Sequence, residues 1–269
     1  SYDITGYYSL KGALLNMVSM GVSSDVLRIG SYSGNLEEDL QTVISEITTE
    51  EPIGIYGVLS INVNQAHVLT YREVSVDIQY KRTAAEMRGI LSVSSEYDLR
   101  NRLINMFETF SEKSVFLIEE SVELECTVEQ EVYSAWMECG EYAVGLDRVS
   151  CTRYPEDGES YVLEIDPSYA SDPEQLGIRA DTVRSRADEI CVQTDGGYGV
   201  KADFINSYLY NNISYDQNAR RVVNETLAGQ PKTSIYTAYG ALFEGNAAQS
   251  GLVLAASVMC DSFSIEHNV

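Results

Sequence analysis

His67–Tyr80 reads HVLTYREVSVDIQY. Within it Val74, Val76 and Ile78 alternate with Ser75, Asp77 and Gln79, the period of a strand with one face buried and one wet. Such a strand needs an antiparallel partner, and Gly57–Val63 is the nearest candidate. Further upstream, Leu36–Ile47 (LEEDLQTVISEI) sets Leu36, Leu40, Val43, Ile44 and Ile47 on one helical face. Asp25–Ser31 is a short strand-like run. Leu10–Val18 (LKGALLNMV) carries Leu10, Ala13, Leu14 and Met17 at helical spacing, with Ser9 available as a cap. The predicted order is helix–strand–helix–strand–strand, which is the α+β class with helices over an antiparallel sheet.

The same order returns downstream. Leu99–Phe107 (LRNRLINMF) repeats the helical spacing with Leu99, Leu103 and Met106 after Ser94 and Ser95. Ser114–Glu120 is again strand-like. Val128–Met137 (VEQEVYSAWM) gathers Val128, Val132, Ala135 and Trp136 on one face. Ala143–Tyr154 and Ser160–Tyr169 form a second strand pair around the turn residues Pro155-Glu156-Asp157-Gly158. A duplicated module is the expectation, with chance similarity between two ordinary α+β segments as its alternative. Arg82–Val93 and Ser171–Gly177 (SDPEQLG) read as linkers. The expected domains are residues 1–88, 89–177 and 178–269. In the last, Ile178–Cys191 is charged and helix-prone, Gly196-Gly197 breaks the chain, and a helix covers Val200–Asn211.

Chemistry is concentrated in this last third. Ile205–Asp216 reads INSYLYNNISYD, a helix ending at Asn211-Asn212, where asparagine tolerates the left-handed conformation. A loop is expected through Gln230-Pro231. Thr237–Ala256 then reads TAYGALFEGNAAQSGLVLAA, with small residues Gly245, Asn246, Ala247 and Ala248 leading into an apolar helix, Gln249–Phe263. From Ala202 onward, these two motifs resemble the N-terminal half of the transglutaminase-like, cysteine protease-like domain of bacterial secreted and surface proteins. The resemblance implies a partial papain-like α+β core, and a lineage that acts on peptide amides by acyl transfer through a thioester. In that family a cysteine occupies the first turn of the second helix, just before a residue-Gly pair. Here the pair is Ser250-Gly251 and the cysteine position holds Gln249. A helix N-terminus favours a thiolate, a histidine activates it, and an aspartate orients the histidine. The resemblance implies that the last two come from strands that follow this helix, beyond Val269.

No other residue takes over the missing role. Cys260 stands eleven positions after Gln249, about 16 Å along a helix, and is expected to be a buried thiol. Ser250 is rotated by about 100° from the site. His267 is expected at the surface, and His67 in a structural strand. No catalytic residue is therefore assigned. Gln249 is either a polar helix former at an abandoned site or an amide that still binds a ligand, in a cleft lined by Tyr208, Tyr215, Tyr236, Tyr239 and Ser250. Packing is the ordinary role of such tyrosines.

Composition sets the outer limits. The net charge of −23 opposes binding to nucleic acid or anionic lipid surfaces. It serves solubility, or recruits a cationic partner. The nineteen tyrosines suit strands, and also peptide or glycan surfaces. No run reaches the ~18 apolar residues of a membrane span, so no membrane insertion is expected. Ser1–Leu10 lacks the basic and apolar regions of a signal peptide, and the chain is expected to be a mature or trimmed segment of a longer protein. The five cysteines include no CxxC pair, and two histidines exclude a histidine-rich metal site. Buried free thiols are expected, with one disulfide among Cys126, Cys139 and Cys151 as the alternative. Gly196-Gly197-Tyr198-Gly199 lacks the Lys-Ser/Thr of a phosphate loop. No metal or cofactor is expected. Asn212-Ile213-Ser214 and Asn224-Glu225-Thr226 fit a glycosylation pattern that carries no information in a bacterial protein.

Three functions remain. The first is a non-catalytic protein of the bacterial cell surface or secretome, binding a peptide or cell-wall ligand. The second is a divergent or truncated cysteine peptidase or transglutaminase. The third gives the binding of peptide or glycan to the tandem modules.

Overall fold

A computed structural model describes residues 3–68, 70–216 and 234–268. The expected loop through Gln230-Pro231 and the Asn224-Glu225-Thr226 pattern lie outside the described residues. In chain order the elements are α1 (Tyr7–Ser19), β1 (Ser24–Ile29), α2 (Leu36–Thr49), α3 (Pro52–Gly57), β2 (Val58–Val68), β3 (Tyr71–Tyr80), α4 (Ala84–Arg88), β4 (Leu91–Val93) and α5 (Glu96–Glu108). They continue with β5 (Ser114–Ile118), α6 (Val128–Glu138), β6 (Leu146–Tyr154), β7 (Tyr161–Tyr169), α7 (Pro173–Cys191), α8 (Tyr198–Asn212), β8 (Ser214–Tyr215), β9 (Asn246–Ala247) and α9 (Gln249–Ser262). The fold is mixed α+β with several sheets.

β1, β3 and β2 form an antiparallel sheet in that order. A second sheet has the order β4, β5, β7, β6, with β4 parallel to β5. β5-β7-β6 thus repeats the order of β1-β3-β2, strand for strand in sequence. The alternation of β3 is realised: Val74, Val76 and Ile78 are buried, while Asp77 and Gln79 are exposed. In register, Leu27 faces Val74, Val76 faces Val63 and Ile78 faces Ile61.

Two compact units emerge. The first comprises residues up to Ser94 together with Ser114–Val122 and Thr152–Glu164; the second comprises Ser95–Lys113, Glu123–Cys151 and residues from Ile165 onward. In the first unit, Leu10, Leu14 and Met17 of α1 and Leu40, Val43 and Ile47 of α2 share one core with Val74 and Val76 of β3. Asn35 caps α2 by accepting from the backbone amides of Glu37 and Glu38, and Glu37, Glu38 and Asp39 in its first turn complement the helix dipole. α3, absent from the sequence expectation, starts with Pro52 at its first position, where a missing N–H costs nothing.

In the second unit, α7, α8 and α9 build the core around Leu176, Ala180, Val183, Leu254 and Val258. Both expected linkers are structured instead. Arg82–Val93 contains α4 and β4, because Thr83 and Glu86 form a reciprocal capping box that fixes a short helix. Ser171–Gly177 contains the start of α7: Asp172 caps it by accepting from the Gln175 amide, and Pro173 takes its first position. Among the described residues no helix is long and apolar enough to cross a membrane.

Candidate functional site

α8 ends at Asn212 and α9 starts at Gln249, and short backbone links join described residues next to these two ends. β8 runs parallel to β9, with Ser214 opposite Asn246 and Tyr215 opposite Ala247. The Ser214 amide donates to the Gly245 carbonyl at 2.8 Å and the Asp216 amide to the Ala247 carbonyl at 2.9 Å. The Ala248 amide donates to the Ile235 carbonyl at 2.8 Å. Gly245 turns the chain into β9 with φ 66, a conformation that suits glycine.

Gly251 explains why the short helical turn Ser234–Tyr236 can lie against α9. A β-carbon at Gly251 would fall 2.3 Å from the Ile235 carbonyl oxygen and 3.0 Å from that of Thr237. The adjacent Ser250 hydroxyl donates to the Tyr236 carbonyl at 3.2 Å, so it is directed away from the first-turn surface. Gln249 itself is exposed, and Ala248 before it supplies no capping side chain. The first turn of α9 therefore presents a carboxamide, both donor and acceptor, beside backbone amides with no side-chain cap.

Of the tyrosines expected to line a cleft, two are linked by backbone to this segment, Tyr215 by pairing with Ala247 and Tyr236 through its carbonyl, which accepts from Ser250. Tyr215 is exposed on β8. Tyr236 is half-buried, and its hydroxyl is pushed up first by burial and then by the negative charge of Asp216. The other two face different neighbours. Tyr239 stacks on Phe243 at 4.9 Å and lies under the Arg179 guanidinium at 5.4 Å. Tyr208 is 6.3 Å from Phe204, whose ring meets Phe263 at 6.0 Å. Tyr215 and Tyr236 are thus linked through the backbone to the segment around Gln249, Ser250 is turned to the Tyr236 carbonyl, and Tyr208 and Tyr239 belong to packing clusters.

No thiol of α9 is prepared for nucleophilic attack. Cys260 is half-buried, and its thiol is pushed up by burial and by Asp261. Cys191, which donates to the Met259 carbonyl at 3.7 Å, is raised to about 11, first by burial and then by Asp188. Burial pushes Cys139 up as well. All five cysteines are free, so the disulfide alternative is not realised.

His267 departs from its expected surface position. Its Nε2 lies 2.6 Å from the buried Ser257 hydroxyl, its Nδ1 3.1 Å from the Ile265 carbonyl and 3.9 Å from Asp261. The reason is a polar group in the middle of a buried helix face: Ser257 needs a partner, and the turn after α9 brings the imidazole back to it. Ser257 lies eight residues beyond Gln249, about 12 Å along the helix, so this histidine does not reach the first turn. His67 sits on β2 with an exposed side chain, as a strand residue opposite Arg72.

No family model, curated protein or solved structure matches this chain.

Three buried carboxylates escaped the sequence reading: Glu131, Glu164 and Glu141, the last paired with Arg184. In the second unit Glu131 is fully buried on α6, and Arg100 of α5 grips both its oxygens, through Nε at 2.7 Å and Nη2 at 2.5 Å. Cys126 and Glu96 stand close enough to Glu131 to complete a three-ligand group for a metal ion. A cation there would have to displace the guanidinium, so the arrangement is a buried ion pair. In the first unit Glu164 accepts from the Tyr56 hydroxyl at 3.0 Å and from Arg82 at 3.2 Å. The signal for Glu164 was available: it stands inside the otherwise apolar strand run Tyr161–Ile165 (YVLEI), where a carboxylate needs partners. Glu131 gave no such signal, because an acidic residue on an amphipathic helix is ordinarily solvated.

Proposed function

We propose that this chain is a non-catalytic protein of the transglutaminase-like superfamily, active at the bacterial cell surface or outside the cell, and that it binds a peptide or cell-wall ligand without transforming it. One observation carries the reading. At the first turn of α9, where the family keeps its nucleophile, Gln249 presents an exposed carboxamide, flanked in sequence by Ala247, which pairs with Tyr215, and by Ser250, whose hydroxyl donates to the Tyr236 carbonyl. A carboxamide cannot form a thioester, yet it matches the hydrogen-bonding pattern of a peptide or glycan amide. The partial papain-like core and the duplication of the α+β module belong to the same proposal. The duplication is supported by the common strand order of β1-β3-β2 and β5-β7-β6.

Amide chemical-shift mapping with muropeptides tests the binding half. Shifts should gather at Gln249–Gly251 and at Tyr236, and Gln249→Trp should remove them. Shifts that ignore this turn, or survive in Gln249→Trp, contradict the proposal.

A further inference from the structure

We infer that the first unit carries a second, independent binding site: an open groove between α1, the start of α3 and the turn after β5 that docks a short peptide bearing alternating basic and apolar side chains. The groove encloses about 670 Å³. That lies within the roughly 300–1,000 Å³ of ligand pockets, enough for a few residues of extended peptide and too small for a folded domain.

Its near wall is the side of α1 that flanks its fully buried face. Leu10, Leu14 and Met17 point into the core, whereas Gly12, Leu15, Asn16 and Ser19, three and four positions apart, line the groove. Gly12 is the informative residue. It sits inside a thirteen-residue helix, where only proline is less favourable, and a β-carbon built on it would meet nothing within 4 Å. No packing contact requires glycine there. Its effect is to leave open a space that any longer side chain would occupy.

The floor is apolar. Leu15, Ile53 and Leu117 rest on the core of the unit yet stay partly open to the groove. The far wall is acidic: Glu119 and Glu120 are exposed and have no ion pair among the described residues. Glu51, also at the groove, differs in being held by the Lys11 ammonium at 2.5 Å. Two uncompensated carboxylates above an apolar floor complement a lysine or arginine next to an aliphatic residue. A net charge of −23 adds long-range attraction for such a ligand and repels acidic ones.

Fluorescence anisotropy on the full chain tests this. The labelled peptide Leu-Lys-Leu-Arg is titrated against Leu-Gln-Leu-Gln and Leu-Glu-Leu-Glu. The basic peptide should bind, at least tenfold more tightly than either control, and added salt should weaken it. Gly12→Leu, which fills the groove, and the surface double variant Glu119→Gln/Glu120→Gln should each weaken it at least tenfold with cooperative unfolding retained. The inference is overturned if the basic peptide fails to bind, if both variants bind as the parent does, if the glutamine peptide binds equally, or if spermidine displaces the peptide at equal concentration.

Discussion

Gly54 of α3 lies so close to α2 that a β-carbon built on it would stand 1.7 Å from the Ile47 carbonyl oxygen. The obstacle is backbone, so the helices must part before any side chain fits. Gly54→Ala is expected to destabilise the first unit by about 3 kcal/mol or more. Gly12→Ala, in open space, should instead stabilise it by about 0.5–1 kcal/mol. Urea denaturation of the two variants checks the pair, and a Gly54→Ala midpoint equal to that of the parent would refute the close approach.

The Arg100–Glu131 pair should behave as buried charges do. Removing only Arg100, as Arg100→Met, strands an ionised carboxylate and should cost about 3–5 kcal/mol. Pairing it with Glu131→Leu should restore most of that, because two apolar side chains then share the space. Thermal melts of the single and double variants measure the recovery. A double variant no more stable than Arg100→Met would mean that the pair contributes by more than mutual neutralisation.

Glu46 provides a pH dependence with a definite sign. Its carboxyl is held below the usual carboxylate range, first by the hydrogen bond from Lys11 and then by that from Tyr7. A folded-state value below the unfolded value means that Glu46 stabilises the fold above the ordinary carboxylate pKa of about 4.3. This contribution is lost as pH falls through the depressed folded value. Glu46→Gln should therefore be less stable than the parent at pH 7, with the gap closing as the solution is acidified. A gap that widens on acidification contradicts the assignment. The Lys11 end is robust, since its ammonium is raised by Glu46 and Glu51 and stays charged throughout this range.

Much of this fold was legible before any coordinates. β3 announced itself because a half-buried strand must alternate, and α1 and α2 because their apolar stripes recur at helical spacing. The turn around Gln249 was also legible: small residues precede it, and the helix begins at the expected residue. What escaped was either short or held from a distance. α4 is only five residues long, so its capping box, not its periodicity, was the signal. Glu131 is buried by a partner on another helix, Arg100, thirty-one positions away in sequence. The site tyrosines show the same limit: Tyr215 is tied to the start of α9 by strand pairing and Tyr236 by a hydrogen bond from Ser250, and no spacing rule separates them from Tyr208 and Tyr239.

The central claim is that the first turn of α9 binds without turnover. It is tested most directly by incubating the full chain with a glutamine-containing peptide and a primary amine, and following ammonia release together with peptide mass. The account predicts release at the level of the protein-free control and an unchanged peptide. Protein-dependent ammonia release, amine incorporation or peptide cleavage that disappears in Gln249→Ala would contradict it.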